Sequence, residues 1–216
     1  MQSLLGSEHV FALGIDPGLS RCGYGAVRSD RGRLEPVVYG HLATSPGEAV
    51  ATRLATLWDD LESLLEDVRP DVVVVERVLF QANARTAMSV GQASGLALAA
   101  AARRGLPVVQ YSPNEVKLAV TGYGSATKEQ VQAMVAALLG LAERPAPADR
   151  ADALALAVTH LSSAAVTALA GVGKAPGAGK AGVGKAGVGK APGAAKAGVG
   201  RAAGEPGPAT ARASRA

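Results

Sequence analysis

Four consecutive valines, Val72 to Val75, follow Arg69-Pro70 closely and run directly into Glu76. A stretch that is β-branched at every position, instead of alternating with polar residues, suits a strand covered on both faces, as parallel strands under helices are. A carboxylate at the end of such a strand is not ordinary core. The rest of the chain must therefore explain both the covering helices and the acid.

The flanking segments supply the helices and the neighbouring strands. Val10 to Ile15 is a second short apolar run, ended by the turn Asp16-Pro17-Gly18. Gly23 to Val27 and Leu34 to His41 read as two further strands, joined by the polar turn Ser29 to Gly32. Between Gly47 and Val68, the residues Leu54, Leu57, Trp58, Leu61, Leu64 and Leu65 recur at helical spacing, with Trp58 assigned to the core. Ala84 to Arg104 reads as an alanine-rich helix that also carries Ser89, Gly91, Ser94 and Gly95. Pro107 to Tyr111 is a short strand, and Ser112-Pro113 offers an N-cap followed by proline at the first helical position. After the loop Gly122 to Ser125 come a helix from Thr127 to Leu139 and a last helix from about Asp149 to Leu169. The order βββαβαβααα predicts one α/β domain over residues 1–170, a mixed five-stranded sheet flanked by helices.

Residues 171–216 are built almost wholly from Gly, Ala, Lys, Val, Pro and Arg, and Ala-Gly-Val-Gly-Lys occurs twice running, at 181–185 and 186–190. Such sequence cannot bury enough apolar surface to offset the entropy of ordering it, so a disordered basic tail is expected. The tail holds eight of the 22 Lys and Arg against Glu205 alone, which turns a chain of net charge +4 into a body of net charge −3. A mildly acidic domain with a basic tail points to nucleic acid through the tail, and the tail lacks the apolar face of a membrane-surface helix. Cys22 is the single cysteine, which excludes an intrachain disulfide and a Cys-rich zinc site, and it reads as a small core residue. No segment reads as a membrane span or a secretory leader, so a cytoplasmic protein is expected.

A purpose for Glu76 brings in three more acids. Asp16 closes an apolar strand, and Asp149 and Asp152, three apart on an Ala/Leu helix, share a helix face. Taken singly, Asp16 before Pro-Gly is a common turn residue and Asp149 would serve as a helix cap. Asp152, one turn inside the helix beside Ala153 to Ala157, has no such simple reading. If the strands ending at Asp16 and Glu76 are neighbours, their carboxylates repel unless cations neutralise them. An oxygen-only donor set without Cys or His favours magnesium or manganese over zinc. Two such ions about 3.5–4 Å apart can activate water and stabilise the leaving oxygen of a phosphodiester displacement.

In chain order, Gly14-Ile15-Asp16-Pro17-Gly18, the Val72 to Glu76 strand with Arg77-Val78, Val90-Gly91-Gln92-Ala93, Glu115-Val116-Lys117 and Ala148 to Ala155 resemble the RuvC family of Holliday-junction resolvases, over about Phe11 to His160. The resemblance implies a ribonuclease-H-like fold, a homodimer, and paired symmetric nicks in four-way DNA junctions during homologous recombination and repair. It implies that Asp16, Glu76, Asp149 and Asp152 are the catalytic and metal-binding tetrad, holding two Mg2+ ions for which Mn2+ substitutes. It places Lys117 and Lys128 near the scissile phosphate, with Lys117 favoured because it follows the matching Glu-Val. It also names the RuvAB branch-migration complex as a partner. The family commonly has an aromatic residue three positions after the catalytic Glu, to stack at the opened junction. Here that position is Leu79 and the aromatic is Phe80, so Phe80 is expected to take the larger part of this DNA contact.

The small-residue helix from Ala84 to Arg104 suits close approach of two copies. His9, His41 and His160 read as structural, although His160 shares the last helix with Asp152. On the residues alone, two other readings stay open: an RNA-processing nuclease on the same fold, and a DNA-compacting module working through the tail. An actin-like ATPase, whose first strand also carries Gly-Ile-Asp, needs a second domain for which the chain has no room.

Overall fold

The computed structural model describes residues 9–78 and 84–169; Leu79, Phe80 and the basic tail of 171–216 lie outside the described residues. The elements are β1 (His9–Asp16), β2 (Arg21–Asp30), β3 (Arg33–Ala43), α1 (Val50–Val68), β4 (Val72–Glu76), α2 (Ala84–Arg103), β5 (Val108–Tyr111), α3 (Pro113–Thr121), α4 (Lys128–Leu138) and α5 (Ala148–Leu169). The strands form one five-stranded sheet in the order β3-β2-β1-β4-β5. The pairs β1–β2 and β2–β3 are antiparallel, while β1–β4 and β4–β5 are parallel, which is the mixed sheet the element order predicts.

Side chains alternate across a strand, so each central strand feeds two cores. Ala12, Val72 and Val74 pack with Val116, Val120, Val131, Val135, Leu154 and Val158 under α3, α4 and α5. Leu13, Ile15, Val73 and Val75 pack with Leu57, Leu61, Leu65, Ala93 and Ala97 under α1 and α2. Every valine of β4 is buried, as an unbroken apolar run requires.

The hairpin strands run longer than their apolar pattern indicates. The turn contracts to Arg31-Gly32, with φ of 50° and 84°, the positive values a two-residue hairpin turn uses. Ser29 and Asp30 therefore remain in the ladder, opposite Leu34 and Arg33. Helix α1 starts at Val50 and not at Gly47, because the preceding residues make a turn in which the Glu48 N–H donates to the Ser45 carbonyl at 3.2 Å.

Two helix starts follow sequence rules closely. Ser112 and Glu115 form a capping box at α3, with proline in the first turn, and Thr127 and Gln130 form another at α4. Helix α5 approaches the sheet closely where β1 and β2 carry glycines. A Cβ on Gly14 would overlap the Ala153 carbonyl, one on Gly23 would overlap the Asp149 carbonyl, and one on Gly25 would lie 2.8 Å from Leu154 Cγ. Among the described residues no helix is long and apolar enough to cross a membrane.

Candidate active site

The alternation that builds the two cores also aims the acids. Ala12, Gly14 and Asp16 share one face of β1, Val72, Val74 and Glu76 share one face of β4, and the apolar members of both sets lie in the α5 core. The parallel register pairs Gly14 with Val74 and Ile15 with Val75, so Asp16 and Glu76 come next, at neighbouring strand ends. The turn after Asp16 is fixed from α1. Buried Arg53 donates from Nε to Thr44 Oγ1 at 2.9 Å and from a terminal nitrogen to Ser20 Oγ at 2.7 Å, while Thr44 Oγ1 donates to the Leu19 carbonyl at 2.5 Å.

Helix α5 delivers the other two acids. The backbone of Asp149 lies on Gly23, the residue paired with Asp16 across β1–β2, and Asp152 follows one turn later. The four carboxylates form one electrostatic group. The Asp16 pKa is pushed up to about 7, first by burial and then by repulsion from Glu76, Asp152 and Asp149, with Lys128 opposing. Glu76 is also raised, by burial and then by Asp152, again with Lys128 opposing.

Two cations reach into the group. Lys128 Nζ stands 3.2 Å from Asp152 Oδ2, and this carboxylate beside it raises the lysine's pKa. Arg21 Nε stands 3.0 Å from Asp149 Oδ2, an ion pair that lacks hydrogen-bond alignment, so this buried oxygen has no hydrogen-bond partner. The sequence favours Lys117 over Lys128. The structure instead joins Lys128 to the acids, while half-buried Lys117 on α3 forms no ion pair among the described residues.

Arg21 and Tyr111 are the residues that sequence reasoning misses. An arginine opening a strand carries no signal of its own. Tyr111 pairs with Glu76 across β4–β5, and its hydroxyl lies 3.2 Å from His160 Nδ1 on α5. The pair thus ties the strand beside Glu76 to the helix that carries Asp149 and Asp152, and burial lowers the His160 pKa. The shared helix of His160 and Asp152 was the available hint. Cys22 is buried with its thiol pushed up to about 12 by burial, in keeping with a core residue and not a nucleophile.

Among the described residues, no three Asp, Glu, His or Cys side chains close on one point as they stand. Asp149 is engaged by Arg21 and Asp152 by Lys128. The donor set still fits a hard divalent cation: the ligands are all carboxylate oxygens, burial and then mutual repulsion raise Asp16 to about 7, and one of the oxygens is buried without a hydrogen-bond partner.

The family model described as crossover junction endodeoxyribonuclease RuvC matches residues 12–160, a span that contains all four acids. The chain belongs to the RuvC family. The RuvC of Moorella thermoacetica is 51% identical over 152 residues, covering 70% of this chain and 91% of its own length. That of Leifsonia xyli is 49% identical over 172 residues, covering 79% and 83%. Thermus thermophilus RuvC, solved in complex with a Holliday junction substrate, superposes with a TM-score of 0.69 at 37% identity, over 74% of this chain and 97% of that one. The yeast mitochondrial Holliday junction resolvase Ydc2, at 14% identity and a TM-score of 0.52 over 70% and 78%, shares the fold. The architecture is therefore the ribonuclease-H-like α/β fold of RuvC, and the match to the family model ends at residue 160.

Proposed function

We infer that the chain is a structure-selective endodeoxyribonuclease that resolves four-way DNA junctions by paired nicks, with Asp16, Glu76, Asp149 and Asp152 holding two magnesium ions, or manganese in their place. The observation that carries this reading is the gathering of four acids from β1, β4 and α5 at one end of the sheet. Bound there, such ions activate water and stabilise the departing oxygen of a phosphodiester. The chain's own residues do the rest. Asp16, raised to about 7 by burial and the neighbouring acids, must give up its proton to serve as a ligand, so the site is better prepared to hold a cation as pH rises through that value. Lys128, beside Asp152, offsets the repulsion that an acidic group exerts on a phosphate backbone. Two symmetric nicks call for two such sites, so the working form is a homodimer. Leu79 and Phe80, next along the chain after Glu76, Arg77 and Val78, supply the contact at the opened junction, and the RuvAB motor is the assembly partner. The setting is the cytoplasm.

The test is cleavage of a labelled four-way junction with and without Mg2+. Asp16→Asn and Glu76→Gln should each slow cleavage at least about a hundredfold, equivalent to about 2.7 kcal/mol of transition-state stabilisation, while junction binding stays within a few-fold of wild type. Near-normal cleavage by either variant defeats the assignment. Comparable cleavage of structured RNA would shift the substrate class.

A further inference from the structure

We propose that Arg21 and Lys128 are stand-in counter-ions for the metal: each neutralises one α5 carboxylate in the metal-free protein and gives it up when a divalent cation binds. The proposal rests on the metal reading above and extends it to residues that set how tightly the metal is held. Four acids in one group need compensation before any metal arrives, and the two ion pairs supply it at Asp149 and Asp152. The cations come from different elements, β2 and α4, so neither pair is an accident of helical spacing.

Their exposure is unequal in the way an exchangeable partner requires. The Arg21 and Lys128 side chains are 57% and 68% exposed, whereas those of Asp149 and Asp152 are 24% and 28% exposed. The carboxylates are held by a helix seated on glycines, while the cations are long arms reaching in from solvent. The arms can leave at little cost, and the acids stay in place. The Arg21 pair is also poorly aligned, leaving Asp149 Oδ2 open to a better partner. Arg150, next to Asp149 in sequence, is not a competitor, since its terminal nitrogen faces His41 Nδ1 at 3.5 Å. Once displaced, an arginine or lysine at this edge is available to a backbone phosphate, so metal loading and DNA engagement are coupled through the same two side chains.

The experiment titrates Mn2+ into the full-length, DNA-free protein and follows free Mn2+ by electron paramagnetic resonance. Exposed ion pairs are weak, so Arg21→Gln is expected to tighten Mn2+ binding by about two- to five-fold, and Lys128→Gln by a similar factor. In an Asp149→Asn background, Arg21→Gln should change nothing, because the pair it would relieve is already gone. A second readout separates exchange from a merely structural role: Arg21→Gln should lower the melting temperature in EDTA and not in saturating Mg2+, whereas a structural arginine lowers both equally. Unchanged or weaker Mn2+ binding by Arg21→Gln, with wild type binding normally, overturns the exchange and leaves the metal site standing. Failure of the wild type to bind Mn2+ overturns both.

Discussion

Asp16 ends β1 beneath α5, and its carboxyl keeps a proton up to about pH 7 in the fold against an ordinary value of 3.8. A pKa raised by folding stabilises the folded state in acid; the contribution is complete below the ordinary value and is lost as pH rises through about 7. Asp16→Asn removes that dependence. In EDTA, the substitution should stabilise the protein at pH 8 by on the order of 2 to 4 kcal/mol, and the gain should fade towards pH 5, where wild-type Asp16 is itself neutral. Calorimetry at both pH values checks this, and comparing the two proteins cancels His160, whose lowered pKa acts in the opposite sense. An equal gain at pH 8 and pH 5 would remove Asp16 from the repelling group. Glu76 and Asp152 were legible in sequence because a buried strand end and an apolar helix have no use for an acid, whereas Asp16, an ordinary turn residue by itself, stood out only beside them. Arg21 was not, because its role exists only in the space between β2 and α5, and neither segment announces the other.

At the scale of elements, the decisive contact is α5 on β1 and β2. Gly14→Ala would drive a methyl group into the Ala153 carbonyl, and neither backbone can yield without moving an acid. The expected cost is about 1–3 kcal/mol or more in urea unfolding, accompanied by loss of junction cleavage in the protein that remains folded. Wild-type stability in Gly14→Ala would mean that α5 is not seated as described. The existence and order of the ten elements could be read from hydrophobic period, caps and the Val run. The strand ends at 28–30 and at Arg33 could not, because these polar positions carry no apolar signal and are paired through the hairpin ladder. The glycine seat was equally silent, since Gly14, Gly23 and Gly25 look like ordinary strand glycines until a helix more than a hundred residues away is laid on them.

At the scale of the whole molecule, charge is divided between an acidic body and a basic tail. Removing residues 171–216 should flatten the dependence of log affinity on log salt by several units, at about 0.9 per phosphate released on duplex DNA, without changing which DNA structure is cleaved. An unchanged slope in a filter-binding titration would assign the tail to something other than DNA. The sheet divides the body as well. Leu13, Ile15, Val73 and Val75 answer to α1 and α2, while Ala12 and Val74 answer to α5 and lie in line with Asp16 and Glu76. Mutations are therefore sorted by the parity of a single residue number before selection sees them. A substitution on the α1–α2 side of β1 or β4 reaches the acids only through the shared backbone, whereas one on the α5 side shares their face.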